Sequence, residues 1–106
     1  MIKVILVDDE VLALDYLESL IDWESEGFQV VGRATGGKKA WALYEKYKPE
    51  IVISDIRMIG MDGLELARKI KEKNPAAIVV LLSAYKDFEY AQKGIQYGVS
   101  NYLLKH

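Results

Sequence analysis

The chain has 106 residues, 51% of them hydrophobic, which is enough apolar material for one ordinary domain with its own core. Its 14 basic and 16 acidic side chains leave a net charge of −2, which excludes the strong positive field that direct nucleic-acid binding needs. The absence of cysteine excludes disulfides, thiolate metal sites and a cysteine nucleophile, and suits a reducing compartment.

The first element is read at residues 2 to 8 (IKVILVD), an apolar run that ends on acids. It is too short for a membrane span and too soon acidic for a signal peptide, so it reads as a buried strand. Residues 11 to 22 follow with helical spacing, Ala13, Leu17, Leu20 and Ile21 forming one stripe. A second strand is expected at 28 to 34 (FQVVGRA), then a helix at 38 to 48 whose stripe is Ala40, Leu43, Tyr44 and Tyr47. The third strand, 51 to 55 (IVISD), is almost wholly apolar until it stops on Asp55. Asp62 with Glu65 three positions on resembles a capping box, so the next helix runs over 63 to 73 with Leu66, Ala67 and Ile70 together, and Asn74-Pro75 stops it. A fourth strand at 77 to 83 (AIVVLLS) leads to a helix at 88 to 97, capped by Asp87, carrying Phe88, Ala91 and Ile95 and ending near Gly98. The last strand is 101 to 104 (NYLL).

Strands that are apolar throughout are covered on both faces, and single helices between them impose right-handed crossovers. The expected fold is therefore α/β, a doubly wound parallel sheet forming one domain over 1 to 106. A final helix after the fifth strand is missing from the pattern. The expectation is a chain truncated before that helix, leaving an apolar strip beside the first and third strands that favours a homodimer or swapped association.

In a parallel sheet all strand C-termini share one edge, where ligands bind. That edge receives Asp8 and Asp9 from the first strand, Asp55 from the third, Ser83 from the fourth and Lys105 from the fifth. Converging carboxylates repel unless a cation shares the site, and a few oxygens with room for water and phosphate suit Mg²⁺. Lys105 and Ser83 suit a phosphoryl oxygen. These constituents point to a carboxylate that accepts a phosphoryl group. Taken singly, each has a blander reading: a turn or cap for an acid, a loop hydroxyl for Ser83, a solvated charge for Lys105. Their joint placement at one edge carries the functional reading.

The segments VDDE (7 to 10), SDIRMIGMDG (54 to 63), LLSAY (81 to 85) and NYLLKH (101 to 106) resemble the receiver domain of bacterial two-component response regulators over the whole chain. The resemblance implies a flavodoxin-like, CheY-like five-stranded sheet of order 2-1-3-4-5. It implies that Asp55 is the phosphoacceptor and that Asp9, Asp55 and the main-chain carbonyl of Arg57 bind Mg²⁺, with Asp8 acting through water. Ser83 and Lys105 hold the phosphoryl oxygens, Tyr102 is the aromatic whose orientation follows Ser83, and Arg57 and Tyr85 tune the lifetime of the aspartyl phosphate. The implied partners are a sensor histidine kinase and, in the full-length protein, a DNA-binding output domain; the implied location is the cytoplasm. DFEYAQKGIQYGVSNYLLK is similar to the subgroup with an AraC-type helix-turn-helix output.

Two positions depart from the family: Ile59 and His106 stand where proline is usual. A cis peptide before His106 would cost about 3 kcal/mol, so a trans bond is expected there. Three other functions fit parts of the pattern. A Mg²⁺-dependent phosphatase with an aspartate nucleophile typically needs a second acid two residues on, where Arg57 stands. A flavin or nucleotide module needs a phosphate cradle after the first strand, where DDEV is acidic. A non-phosphorylated interaction module on the same fold is the third.

Overall fold

The computed structural model describes residues 1–83 and 101–104, Ser83 and the final strand by their backbone alone. The elements are β1 (Ile2–Val7), α1 (Val11–Ser19), β2 (Phe28–Ala34), α2 (Gly37–Tyr47), β3 (Ile51–Asp55), α3 (Gly63–Lys73), β4 (Ile78–Ser83) and β5 (Asn101–Leu104). The expected helix at 88 to 97 with its Asp87 cap, and the Lys105–His106 peptide, lie outside the described residues. All five strands are parallel, in the order β2-β1-β3-β4-β5. This is the doubly wound sheet expected from the alternation of elements.

The two sheet faces are covered unequally. Ile5 and Val7 of β1, Val52 of β3 and Val79 and Leu81 of β4 face α2 and α3, where Ala40, Tyr44, Leu66, Ala67 and Ile70 complete the larger core. Alternation along the strands sends Val4 and Leu6 to the other face, where Leu14 of α1 buries them with help from Leu17, Trp23 and Phe28. The fully buried residue of α1 is thus Leu14, next to Ala13, while Ala13 and Leu17 of the expected stripe of Ala13, Leu17, Leu20 and Ile21 are half-buried. Leu20 and Ile21 lie beyond the helix and are exposed. α1 stops early because its last-turn carbonyls find side-chain donors: the Ser19 hydroxyl donates to Tyr16 O at 2.8 Å and the Trp23 indole to Glu18 O at 3.2 Å.

Part of the apolar strip expected beside β1 and β3 is seen among the described residues. Val4 and Leu6 are fully buried under α1, while Ile51 and Ile53 of β3 are half-buried and Ile78 of β4 is 42% exposed. Among the described residues, β1 is therefore the strand that α1 covers most fully on this face.

α3 begins where the sequence places it. Asp62 accepts a hydrogen bond from Glu65 N at 2.9 Å, which satisfies one orphan amide of the first turn. Arg33 of β2 ties the sheet to α1 through Asp15 at 2.7 Å and Glu18 at 2.9 Å. The Asp15 hydrogen bond, above all, raises the guanidinium above the ordinary arginine value.

Candidate functional site

The strand register sets the site. Val7 of β1 pairs with Ser54 of β3, so Asp8 and Asp55 follow at the same level on neighbouring strands. Both backbones are anchored there: Asp8 N donates to Ala34 O at 3.0 Å, and Ile56 N donates to Leu82 O at 3.0 Å. Asp55 itself pairs with Leu82 of β4. Ser83, the next residue, is level with Leu104 of β5.

The result is a group of three acids. Carboxylate oxygens of Asp8, Asp9 and Asp55 all lie within 4.8 Å of one another. Asp8 is fully buried, Asp55 is 8% exposed, and Asp9 is open to solvent. One Asp8 oxygen accepts from Glu10 N at 3.0 Å, a local turn that aims the side chain. Three carboxylates at this spacing raise one another's energy, and a shared cation removes that cost. Two ligand oxygens on opposite sides of Mg²⁺ stand about 4 Å apart, so small rotations would bring these acids to coordinating distance. The all-oxygen donor set, with one exposed member, fits a hard cation that keeps some of its water.

The loop after β3 is closed at its base. Gly63 N donates to Ile56 O at 2.8 Å, and Ile56 and Met58 are buried while Arg57 is exposed and Ile59 is 93% exposed. Gly60 takes φ +80°, a conformation open to glycine at little cost. A side chain at Gly63 would overlap Asp55 O and sit 3.0 Å from Ile56 Cα, so only glycine lets α3 start this close to the acid-bearing strand.

Of the residues expected at this edge, the structure brings Asp8, Asp9 and Asp55 together and places Arg57 on the adjoining loop. The backbones of Ser83 and Tyr102 lie on neighbouring strands, Tyr102 pairing with Leu81. The side chains of Ser83 and Tyr102, and the whole of Tyr85 and Lys105, lie outside the described residues. Sequence reasoning passed over Ser54, which is fully buried and donates to Asp55 O at 2.9 Å, holding the end of the strand. A hydroxyl in an otherwise apolar run, next to the acid, was the available signal.

Residues 4–106 match the response regulator receiver domain as a family. The chain belongs to that family. The receiver is 43% identical over 105 residues to the transcriptional regulatory protein YesN of Bacillus subtilis, a match covering 99% of this chain and 28% of YesN. It superposes on the REC domain of AraT, a response regulator from Geobacillus stearothermophilus, with a TM-score of 0.91 at 34% identity, over 97% of this chain and 80% of that one. It also matches a structure of the CheX-CheY-BeF3-Mg complex from Borrelia burgdorferi, with a TM-score of 0.87 at 28% identity, over 99% of this chain and 78% of that one. The receiver spans 28 to 41% of the length of the first relatives it matches. Among the described residues, no helix is long and apolar enough to cross a membrane.

Proposed function

We propose that this receiver accepts a phosphoryl group on Asp55 in a Mg²⁺-dependent reaction and thereby switches an output surface. The observation that carries the reading is the acid cluster: Asp55, at the end of a buried strand, has one carboxylate oxygen within 4.8 Å of one from Asp8 and one from Asp9. Asp9, Asp55 and the main-chain carbonyl of Arg57 would hold the ion, with Asp8 acting through water. When bound, Mg²⁺ supplies positive charge opposite the charge that develops on the phosphoryl oxygens.

The chain's own residues do the rest. The Asp55 carboxylate, held rigid by β3, attacks phosphorus in line; its P–O bond forms as the P–N bond to a phosphohistidine, or the bond to a small phosphodonor's leaving group, breaks. Ser83 and Lys105 steady the phosphoryl oxygens, and the Ser83 hydroxyl draws its loop toward the new dianion, opening space for Tyr102. This local charge change biases a two-state surface. Arg57 and Tyr85 set how long the phosphoryl group survives. The domain turns over no external substrate; self-phosphorylation and self-dephosphorylation are its only reactions.

In this reading residues 1 to 106 are the receiver unit of a longer cytoplasmic transcription regulator. Its partners are a sensor histidine kinase and an attached DNA-binding output domain of the AraC type, and two copies associate. The share of the relatives' length that the receiver spans supports the longer protein. Incubation with Mg²⁺ and a small phosphodonor or beryllofluoride, read by intact mass and NMR beside Asp55→Asn, tests the chemistry. A wild-type chain that gains neither a phosphoryl group nor a Mg²⁺-dependent spectral shift sinks it. Sustained hydrolysis of a phosphate ester would instead favour the aspartate-nucleophile phosphatase, against which Arg57 stands at the position where such enzymes carry a second acid.

A further inference from the structure

The loop that carries Arg57 is held on its outward run by the burial of Ile56 and Met58 and at its base by the Gly63–Ile56 hydrogen bond. Its return run touches a different element. Gly37, the first residue of α2, lies against Met61: a Cβ built on Gly37 would overlap Met61 O and come within 2.7 Å of Met61 Cβ and 2.9 Å of Met61 Cγ. The first of these is a backbone atom, so no side-chain rotation relieves it. Gly36, the residue before, differs sharply: a Cβ there meets nothing within 4 Å, and its backbone is extended, at φ −175°.

Nothing about helix formation asks for glycine at position 37; alanine is the better helix former. Its backbone shows no positive φ either, since Gly27 and Gly60 are the described glycines with that conformation. The remaining physical reason for a missing side chain is the close approach to Met61. α2 is in turn fixed to the sheet through Ala40 and Tyr44 in the main core, so its N-terminus is a rigid stop rather than a soft neighbour.

We propose that Gly37 is a positioning residue for the acid site: by admitting Met61 to van der Waals contact, the N-terminus of α2 sets the path of the loop and hence the place of the Arg57 carbonyl relative to Asp55. This rests on the proposed Mg²⁺ chemistry. Asp55 is tied into the sheet on both sides, whereas the return run of the loop between Ile56 and Gly63 rests through Met61 on the main core and on the N-terminus of α2 at Gly37. A methyl at position 37 pushes Met61 outward while leaving the three acids where they are. Mg²⁺ demands near-ideal octahedral geometry, so a displaced carbonyl weakens binding even with all the carboxylates in place.

The test compares Gly37→Ala with Gly36→Ala, the same added methyl one residue apart, in the 106-residue chain. Mg²⁺ affinity is measured without phosphodonor by tryptophan fluorescence titration and calorimetry, and urea denaturation is followed in Mg²⁺-free buffer. Gly37→Ala is expected to weaken Mg²⁺ binding about tenfold, the lower end of the loss that follows when residues orienting a metal's ligands are altered, and to slow phosphorylation at low Mg²⁺ with recovery as Mg²⁺ is raised. Gly36→Ala is expected to bind as wild type does. Equal Mg²⁺ affinity in wild type and a folded Gly37→Ala overturns the proposal while leaving the Asp55 chemistry standing. Should Gly37→Ala not fold, Met61→Ala withdraws the contact from the loop side; weaker Mg²⁺ binding by that variant supports the proposal and unchanged binding overturns it. A wild-type chain that binds no Mg²⁺ removes the underlying function, a result distinct from either.

Discussion

The amide of Gly63 donates to the carbonyl of Ile56 at 2.8 Å, so the first residue of α3 is bonded to the residue that follows the proposed phosphoacceptor. Helix start and strand end are one structural unit. Gly63→Ala is expected to destabilise the domain by about 2 kcal/mol or more, because the atoms a Cβ would strike are backbone atoms of Asp55 and Ile56 that cannot rotate away. Urea denaturation monitored by circular dichroism measures it, and a shift within experimental scatter of wild type would show that the strand end yields.

Removal of the Asp62 side chain acts on the same helix through another mechanism. Asp62→Ala deprives Glu65 N of its acceptor and is expected to cost about 1 kcal/mol, with Asp62→Asn or Asp62→Ser retaining most of the stability. The rank order of the three variants in denaturant midpoints checks it.

If the acid cluster holds Mg²⁺ as proposed, stability depends on the cation. Mg²⁺ at a hundredfold excess over its dissociation constant is expected to stabilise wild type by about 2.7 kcal/mol. Asp55→Asn removes one carboxylate of the proposed ion site, so its gain in melting midpoint from Mg²⁺ is expected to be smaller than that of wild type. Thermal melts with and without Mg²⁺, with Ca²⁺ as a second hard cation, give both quantities. An Asp55→Asn chain that gains as much from Mg²⁺ as wild type does would contradict a role for that carboxylate in holding the ion.

The two sheet faces differ in what they tolerate. Leu66→Ala, in the fully buried α3 face, is expected to cost about 2 to 5 kcal/mol, whereas Leu12→Ala, 80% exposed on α1, should fall within about 0.5 kcal/mol of wild type. Denaturant midpoints at a common slope decide the comparison.

Much of this was legible in the sequence, for identifiable reasons. β3 and α3 carry unambiguous signals, an apolar run ending on an acid and an Asp cap with a closing Asn-Pro, and both occupy the expected residues. Asp8, Asp9 and Asp55 were legible as a group because a parallel sheet delivers every strand end to one edge. The inward face of α1 was not, because Val11, Leu12, Ala13, Leu14, Tyr16 and Leu17 are apolar nearly all the way round and periodicity alone does not choose between stripes. Its early end depends on Trp23 reaching back to Glu18, a contact made by a residue outside the helix. Ser54 and the Gly37–Met61 approach escaped for a similar reason: their meaning lies in which backbone atoms stand nearby, and that is a property of the assembled chain.

The pairing of Val7 with Ser54 also has a bearing on how the domain comes together. The two residues are far apart in sequence, so the acid cluster does not exist in an unfolded or partly folded chain and comes into being only when β1 zips against β3. Side chains alternate along a strand, and a slip of one residue in that pairing would turn Asp55 toward the larger apolar core and Ser54 toward the rim. Burying an unpaired carboxylate in that core is prohibitive. The acid proposed to carry the chemistry therefore also favours the native strand register over one slipped by a residue.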